Sequence, residues 1–326
     1  MRTVSVTAPA RLHLGFLDLN GSRGRRFGSV GLTLEGPCVE LSVQRAPRFS
    51  VAGSQAERAA QFAKAVCRRF NFPDHVQLTI AQTVPEHVGL GSGTQLGIAV
   101  GVALSKFHGH DIPVRQIATT VQRGQRSGIG AAAFELGGFL VDGGKGPTDD
   151  PPPIISRIEF PTDWRIVLVL ERAARGLHGE LETAAFQALP EFPETMANYL
   201  CRLMLMQALP ALVEHDIDRF GNAIGELQRI TGDYFSPAQG GRFFSPVVAE
   251  ALGWIASHDI AGVGQSSWGP TGFAIVGSAE RANELVNAAN ERWGNAGPLQ
   301  FAVCRGRNRG GDVASSQSAA ASVKIN

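Results

Sequence analysis

The sequence predicts an α+β protein of two domains, and three observations lead to this expectation. Strand-like segments crowd the first 45 residues, a glycine-rich turn at 88–96 joins a strand to an apolar helix, and strands alternate with helices after residue 160. Prolines and aspartates in 146–153 indicate a surface loop, and we place the domain boundary just after it. The predicted domains are 1–155 and 156–313, followed by a mobile serine- and alanine-rich tail at 314–326.

Periodicity predicts the elements of the N-terminal half in order. Alternation of apolar and polar residues predicts strands at 3–8, 11–17, 30–34, 38–44 and 76–80. Apolar residues spaced three and four apart, or small residues in an apolar run, predict helices at 55–71, 97–104 and 113–124.

The C-terminal half opens on a buried strand and continues in a mixed pattern. The expected strands are 164–170, 260–265, 272–277 and 299–304. The expected helices are 180–188, 193–214, 216–231 and 279–293. Together they form a second α+β layer.

Composition and charge narrow the class of protein. The chain has 44% apolar and 18% charged residues, which is typical of a globular enzyme, and its longest apolar runs predict no membrane partner. The net charge of +1 predicts no nucleic-acid partner. Four widely separated cysteines favour reduced thiols, and a strand directly at the N-terminus argues against export. We therefore expect a cytoplasmic protein.

The glycine-rich turn is the first candidate site. Glycines let the backbone approach a ligand closely, and a helix that starts there directs several N–H groups and a positive dipole end at an anion. The alternative is a connector in which a serine or threonine simply caps the helix. The residues concerned are Gly89, Gly91, Ser92, Gly93, Thr94 and Gln95.

An arginine-rich segment near the N-terminus is the second candidate. Arg11 and His13 share one face of a predicted strand that ends near Asp18, and Arg26 follows in a glycine and arginine turn. Such basic pairs suit a carboxylate or a phosphate. Solvated residues that discourage edge pairing are the alternative.

Two further segments have similar composition. Arg126, Ser127 and Gly130 stand among glycines, with Glu135 and Asp142 downstream, which indicates a ligand loop or else a solvated turn. Glycines and the pair Ser266 and Ser267 surround Trp268, which indicates either an aromatic wall beside a ligand or a core tryptophan in a tight turn.

Taken together, these segments resemble the three motifs of the GHMP kinase superfamily. Ala8-Pro9-Ala10-Arg11 resembles the first motif, Pro85 to Gln95 the glycine-rich second, and Gly262 to Gly272 the third. The resemblance covers roughly residues 1–310. It implies an N-terminal α+β domain that carries the glycine-rich loop, a ferredoxin-like C-terminal α+β domain, and an active site between them.

One departure from the kinase pattern bears on activity. In several of these kinases a Ser-Gly-Ile-Asp-like stretch supplies a catalytic aspartate, and here Ser127-Gly128-Ile129-Gly130 places a glycine there. Glycine cannot take a hydroxyl proton, and general-base help contributes about 10²–10⁴-fold. The sequence therefore disfavours ordinary kinase activity.

A narrower resemblance accommodates that glycine. Long segments are similar to the β-ribofuranosylaminobenzene 5′-phosphate synthase family, a non-kinase branch: Arg11 to Leu19, Arg126 to Gly130, Phe134 to Phe139, Arg175 to Glu180 and Gln265 to Thr271. The family joins phosphoribosyl pyrophosphate to 4-aminobenzoate or 4-hydroxybenzoate, releasing pyrophosphate and carbon dioxide, in the synthesis of methanopterin-type cofactors. Because carbon dioxide leaves instead of a ring proton, no strong base is required at that carbon.

The resemblance also implies roles for individual residues. The catalytic candidates are Arg26, Arg126, His13 and Glu135. The substrate-binding candidates are Arg11, Asp18, Gly89, Gly91, Ser92, Gly93, Thr94, Gln95, Ser127, Gly130, Ser266, Ser267 and Trp268. Mg²⁺ is implied by the pyrophosphate, with Glu135, Asp142 and Asp18 as its candidate ligands and no organic cofactor. A homodimer is expected.

Two other functions stay open at this point. One is an ATP-dependent small-molecule kinase that uses another carboxylate, such as Asp142. The other is a non-catalytic ligand-binding protein on a decayed kinase scaffold. The sequence also leaves open whether the acceptor carries an amino or a hydroxyl group.

Overall fold

In a computed structural model of the protein, the described residues are 2–148, 150–176, 186, 188–294 and 296–317. The strands are β1 (Arg2–Asp18), β2 (Phe27–Arg45), β3 (Ser50–Gly53), β4 (Val76–Gln82), β5 (Phe139–Asp142), β6 (Ile154–Ile158), β7 (Arg165–Glu171), β8 (Val263–Gln265), β9 (Gly272–Val276), β10 (Leu299–Cys304) and β11 (Asp312–Gln317). The helices are α1 (Ala56–Phe70), α2 (Ser92–Phe107), α3 (Val114–Thr120), α4 (Ile129–Glu135), α5 (Glu194–Leu203), α6 (Leu209–Val213), α7 (Ile217–Gln239), α8 (Pro246–Ala256) and α9 (Ala279–Trp293). A π-helical turn, Met204–Ala208, connects α5 to α6.

Two sheets organise this part of the chain. The larger sheet runs β11-β1-β2-β4-β3, with β5 paired to β2 and β6 paired to β5. The smaller sheet runs β10-β7-β9-β8 and is antiparallel throughout, whereas the larger contains one parallel pair, β3 with β4. This is the mixed α+β architecture expected from the sequence.

The first two strands are longer than predicted. The segments expected at 3–8 and 11–17 form the single strand β1, and those expected at 30–34 and 38–44 form β2. Register shifts between Pro9 and Arg11 and between His13 and Gly15 bend β1 without ending it. Such bulges redirect side chains locally, which explains why the alternation looked interrupted.

Helix α2 lies in the core of the N-terminal half. Its apolar residues are buried on every side, as expected for a helix that packs both on a sheet and under other helices. It contacts β1 and β2 on one side. On the other side, a Cβ added to Gly101 would lie 2.3 Å from Ile117 of α3, so glycine permits this close packing. The packing fixes where the first turn of α2 points.

Several predictions about the ends of the domains need correction. Residues 314–317, predicted to be mobile, belong to β11, which pairs with the N-terminal half of β1 and covers its free edge. The proline-rich loop is also less exposed than predicted, because Pro151 and Pro152 are buried. Residues Ile129–Glu135 form a further helix, α4, which was not predicted from the sequence. The helix predicted at 180–188 lies mainly outside the described residues, as does 318–326.

The domain limits at 155/156 stay a prediction, although the boundary falls within β6. One described stretch, Glu194–Val213, is long and apolar enough to cross a membrane by length and composition alone. Core helices of globular proteins pass the same test, so this is weak evidence. The absence of a membrane partner therefore stays a prediction.

Candidate active site

The glycine-rich turn takes a conformation that requires its glycines. Gly89 and Gly91 have φ angles of +88° and +85°, which strain any residue with a side chain. A Cβ on Gly89 would lie 2.2 Å from the carbonyl oxygen of Ser266, so only glycine lets the turn approach the third motif. Gly91 then precedes Ser92, where α2 begins. The first amides of α2 therefore face outward at the positive end of its dipole.

Three guanidinium groups surround this helix N-terminus. A Cβ built on Gly93 would lie 2.2 Å from Nη2 of Arg58 and 3.4 Å from Nη2 of Arg123, and a Cβ on Gly91 would lie 3.2 Å from Cζ of Arg11. Arg11 also donates from Nη1 to the Gly89 carbonyl at 2.6 Å. Arginines beside a helix N-terminus make a site for a phosphate or pyrophosphate.

Arg58 and Arg123 were not among the predicted site residues. Both guanidinium groups lie over the ring of Phe62, at 5.9 and 5.6 Å from its centroid, and Arg58 pairs with Glu86 at 3.2 Å. Arg123 stands three residues before Arg126 in the sequence, but nothing in the sequence connects Arg58 of α1 to the turn. The packing of α1 against α2 brings it there.

The three motifs meet through Ser266. Its hydroxyl donates to the Gly89 carbonyl at 2.8 Å and accepts from the backbone N–H of His13 at 3.0 Å. The N–H of Ser267 donates in turn to the His13 carbonyl at 3.0 Å. The residues predicted from the first, second and third motifs therefore form one continuous region between the two sheets.

Gly130 lies beside the glycine-rich turn, in the first turn of α4. The side-chain amide of Gln95 donates to its carbonyl at 2.8 Å. A Cβ on Gly130 would lie 2.7 Å from Cγ2 of Thr94. The stretch that supplies an aspartate in several kinases therefore packs so closely against the turn that a side chain at residue 130 would have to displace the methyl group of Thr94.

Asp142 has a structural role in this arrangement. Its Oδ1 accepts from the N–H groups of Ser29 and Gly144, and its Oδ2 accepts from the N–H of Gly128 and the hydroxyl of Ser127, at 2.8 to 3.3 Å. Burial raises its pKa, and the backbone hydrogen bonds oppose that rise. Because its oxygens already hold α4 and β5 together, Asp142 does not fit the predicted role of metal ligand.

The other two predicted metal ligands also lie in unsuitable positions. Glu135 is exposed at the far end of α4, where its carbonyl approaches Gly310. Asp18 uses Oδ1 to accept from the N–H groups of Asn20 and Gly21 in a turn after β1. No group of three or more His, Cys, Asp or Glu side chains occurs among the described residues. These donors therefore do not fit a protein-held Mg²⁺, and the role of Glu135 in catalysis has no support here.

His13 is buried and neutral. It is 4% exposed, and burial, together with the charge of Arg11, lowers its pKa to about 3. A hydrogen bond to its own backbone partly offsets this shift, and Nε2 lacks a hydrogen-bond partner among the described residues. A neutral imidazole has no positive charge with which to bind an anion, but it can form a hydrogen bond with a neutral polar group.

Trp268 is part of an aromatic cluster next to His13. Its ring centroid lies 4.6 Å from that of Phe235 and 5.3 Å from that of Phe186, while Phe16 lies 4.6 Å from His13 and 6.1 Å from Phe186. Trp268 is 5% exposed. Trp268 therefore packs in the core and also lines a cavity of about 30 Å³, while its predicted role as a wall beside a ligand stays a prediction.

Arg126 and Arg26 lie at this aromatic cluster. The guanidinium of Arg126 lies 4.7 Å from the centroid of Phe186. That of Arg26 lies 5.5 Å from Phe27, while its Nε donates to the Leu19 carbonyl at 2.9 Å. Phe27 and Phe186 are themselves 6.1 Å apart. Of the three predicted arginines, Arg11 therefore lies at the helix N-terminus, whereas Arg26 and Arg126 lie beside the aromatic rings.

Comparison with known proteins agrees with this geometry. The chain matches the family models "GHMP kinases N terminal domain" over residues 57–138 and "GHMP kinases C terminal" over 208–295. It is also similar to the solved structure of homoserine kinase from Cytophaga hutchinsonii, with a TM-score of 0.68 and 15% identity over 96% of this chain and 97% of the other. The predicted GHMP-kinase-like fold is thereby confirmed.

The sequence relatives are more specific. The β-ribofuranosylphenol 5′-phosphate synthase of Methanothermobacter thermautotrophicus is 32% identical over 94% of this chain and 97% of its own length. The Archaeoglobus fulgidus protein of the same name is 34% identical with the same coverage. These proteins are named for making a ribofuranosyl phosphate compound, and they confirm the predicted family.

Proposed function

Because the chain belongs to the β-ribofuranosylphenol 5′-phosphate synthase family within the GHMP kinase superfamily, we propose that it condenses phosphoribosyl pyrophosphate with a para-substituted benzoate. The product is a ribofuranosyl-arene 5′-phosphate, the class of compound for which the relatives are named. In this proposal pyrophosphate and carbon dioxide are released. The relatives' name supports a phenol product, hence 4-hydroxybenzoate as the acceptor. 4-Aminobenzoate is the alternative. The product would serve the synthesis of methanopterin-type cofactors in the cytoplasm.

One observation carries this proposal. A helix N-terminus with three guanidinium groups adjoins an aromatic cluster that includes a neutral histidine, and Ser266 connects the two. The first part suits the strongly anionic ribosyl donor, and the second suits an aromatic ring. A reaction that joins these two substrates needs both environments side by side.

The bonds change as follows. The C1′–oxygen bond of the donor breaks, and its electron pair leaves with pyrophosphate. The ring carbon that bears the carboxylate bonds to C1′, and the bond to the carboxylate then breaks, so that its electrons restore the aromatic ring as carbon dioxide departs. Arg11, Arg58 and Arg123 would stabilise the leaving charge, and the aromatic cluster would hold the ring in line.

The acceptor carboxylate needs a counter-charge that does not compete with pyrophosphate. Arg126 stacks on Phe186 and so lies at the aromatic cluster, with Arg26 beside the neighbouring Phe27. We assign the carboxylate to this pair. Mg²⁺ would accompany the pyrophosphate of the substrate, since the carboxylates in the described part of the chain do not assemble a metal cluster; its requirement stays a prediction, as does a homodimer.

The kinase alternative has less support. Residue 130 is glycine, and the oxygens of Asp142 are committed to hydrogen bonds, so neither supplies a free carboxylate at the turn. Incubation with Mg²⁺, phosphoribosyl pyrophosphate and carboxyl-labelled 4-hydroxybenzoate, and in parallel the 4-amino acid, tests the proposal. Labelled carbon dioxide with stoichiometric pyrophosphate is expected. A phosphorylated product that requires ATP would replace the proposal with the kinase. Donor binding without turnover of either acid would replace it with the ligand-binding protein.

A further inference from the structure

The cavity beside His13 is smaller than an aromatic ring. Its volume of about 30 Å³ accommodates roughly one water-sized group. Thr231, Phe235, Gln265 and Trp268 line it together with His13. It therefore suits a single hydroxyl or amino group on a ring that lies against the adjoining aromatic side chains.

The polar side chains around this cavity differ in how well they are satisfied. The hydroxyl of Thr231 donates to the Leu227 carbonyl at 2.7 Å, and the carboxamide of Gln265 accepts from the N–H of Phe244 at 2.7 Å. By contrast, Nε2 of His13 is buried without a hydrogen-bond partner in the described part of the chain. An unsatisfied buried atom of this kind destabilises the folded protein until a ligand or a water forms a hydrogen bond with it.

The ring of His13 is set to accept a hydrogen bond. Nε2 is buried without a hydrogen-bond partner among the described residues, and an unprotonated Nε2 of the neutral imidazole accepts a hydrogen bond. Phe16 contacts the ring of His13 on one side and that of Phe186 on the other, and Arg126 lies on Phe186. The rings of Phe16 and Phe186 therefore connect the imidazole of His13 to the guanidinium of Arg126.

We propose that this cavity receives the para hydroxyl or amino group of the aromatic acid and that Nε2 of His13 accepts a hydrogen bond from it. This inference rests on the proposed function for the identity of the acid. The bond places the carboxylate-bearing carbon at the end of the ring directed toward Arg126. The hydrogen bond also increases the electron density at that carbon, which lies para to the hydroxyl or amino group. This carbon forms the new bond to C1′. His13 is thus a specificity-determining residue that recognises the para group.

Binding of three acids tests the proposal without requiring turnover. Dissociation constants of 4-hydroxybenzoate, benzoate and 4-methoxybenzoate are measured by calorimetry with inorganic pyrophosphate in excess. In the wild-type protein 4-hydroxybenzoate should bind about ten-fold more tightly than benzoate, which is the effect of one buried hydrogen bond. The methoxy acid should bind at least ten-fold more weakly than the hydroxy acid, because its extra methyl group exceeds the cavity.

Two variants complete the test. His13→Phe should abolish the preference, so that the hydroxy acid and benzoate bind with equal affinity, whereas His13→Gln, which keeps an acceptor, should retain part of the preference. The matched control is His108→Phe: His108 also has an unpartnered Nε2 in the described residues, but it caps the C-terminal end of α2, a helix of about 24 Å whose N-terminal end lies at the candidate site. Equal weakening of both acids in His13→Phe, or no preference in the wild type, would overturn the proposal and indicate a site for a structural water only.

The outcomes also separate this inference from the proposed function. If carbon dioxide is released but the protein does not prefer the para-substituted acid, the proposed role of His13 is wrong and the proposed synthase activity stands. If the protein prefers the para-substituted acid but releases no carbon dioxide, the cavity stands as a binding site and the proposed synthase activity is wrong. If His13→Phe does not fold, the wild-type comparison of the three acids and the His13→Gln variant still decide.

Discussion

The methyl group of Thr94 occupies the space that a side chain at residue 130 would need, since a Cβ on Gly130 would lie only 2.7 Å from Cγ2 of Thr94. Thr94 belongs to the first turn of α2 and Gly130 to that of α4. The glycine is thus a packing requirement in this chain as well as the loss of a carboxylate.

This contact predicts the sign of a stability change. Alanine is about 1 kcal/mol more favourable than glycine inside a helix, so Gly130→Ala would ordinarily stabilise α4. Here we expect it to lower the free energy of unfolding by about 1–3 kcal/mol, because of overpacking against Thr94. In a Thr94→Ser background, which removes the methyl group, the same substitution should be neutral or stabilising. Urea unfolding of the four proteins measures this, and an equal effect in both backgrounds would show that Thr94 is not the cause.

The same contact bears on restoring the kinase carboxylate. Gly130→Asp should not raise synthase turnover, because the aspartate adds bulk where Thr94 already lies and a base is not needed. Carbon dioxide release under initial-rate conditions is the measurement. A faster variant would contradict the claim that the reaction dispenses with this acid.

The arginines at the helix N-terminus should act mainly on the ribosyl donor. Arg123→Ala and Arg58→Ala are each expected to reduce kcat/KM for phosphoribosyl pyrophosphate by about 10–100-fold, the effect of one charge-assisted hydrogen bond. The KM for the aromatic acid should change little. Arg68→Ala is the matched control, since Arg68 is an exposed arginine on the same helix, α1. Unchanged donor kinetics in Arg58→Ala and Arg123→Ala would remove these two residues from the anion site.

The pair at the aromatic cluster should show the opposite pattern. Arg126→Ala is expected to raise the KM for the aromatic acid by roughly ten-fold while donor KM stays within about two-fold, since its guanidinium lies over Phe186 in the aromatic cluster. Initial rates with each substrate varied in turn give both constants. If the donor KM rises instead, Arg126 belongs with the pyrophosphate site.

The sequence predicted the fold from local signals but not the contacts that complete the site. The turn at Gly89 and Gly91 was identifiable because positive φ angles and a helix start leave a local signature. Arg58 lies 30 residues before that turn and reaches it only through the packing of α1 on α2, which has no local signal. Helix α8 was missed although Ser245 caps it and Pro246 occupies its first turn, both recognisable start signals.

The predicted metal ligands also show that residue type and spacing alone do not determine the role of a carboxylate. Asp142 was a reasonable metal candidate by residue type, since a carboxylate downstream of a glycine-rich loop suits a cation. Only the tertiary structure reveals that four donors already satisfy it. Burial and hydrogen bonding therefore decided its role, and neither is readable from the spacing of acidic residues.

The four hydrogen bonds that Asp142 accepts lead to a prediction about metal dependence. Asp142→Asn places an amide group toward backbone donors and should lower the free energy of unfolding by about 2–4 kcal/mol. The fraction that remains folded should require the same Mg²⁺ concentration for half-maximal rate as the wild type. Thermal unfolding and a Mg²⁺ titration measure the two quantities. A large shift in the Mg²⁺ requirement at unchanged stability would instead support a metal-binding role.

The buried neutral state of His13 predicts how stability depends on pH. Its pKa is about 3 in the folded protein against 6.5 ordinarily, so between these values the unfolded chain binds a proton that the folded chain does not. The contribution of His13 to stability is therefore complete above about pH 6.5 and is lost as the pH falls toward 3, by up to about 1.4 kcal/mol per pH unit. Urea unfolding at several pH values, taken as the difference between the wild type and His13→Gln, isolates this contribution from that of Asp142. A difference that does not vary between pH 6.5 and pH 4.5 would mean that His13 titrates alike in both states and is not buried as a neutral ring.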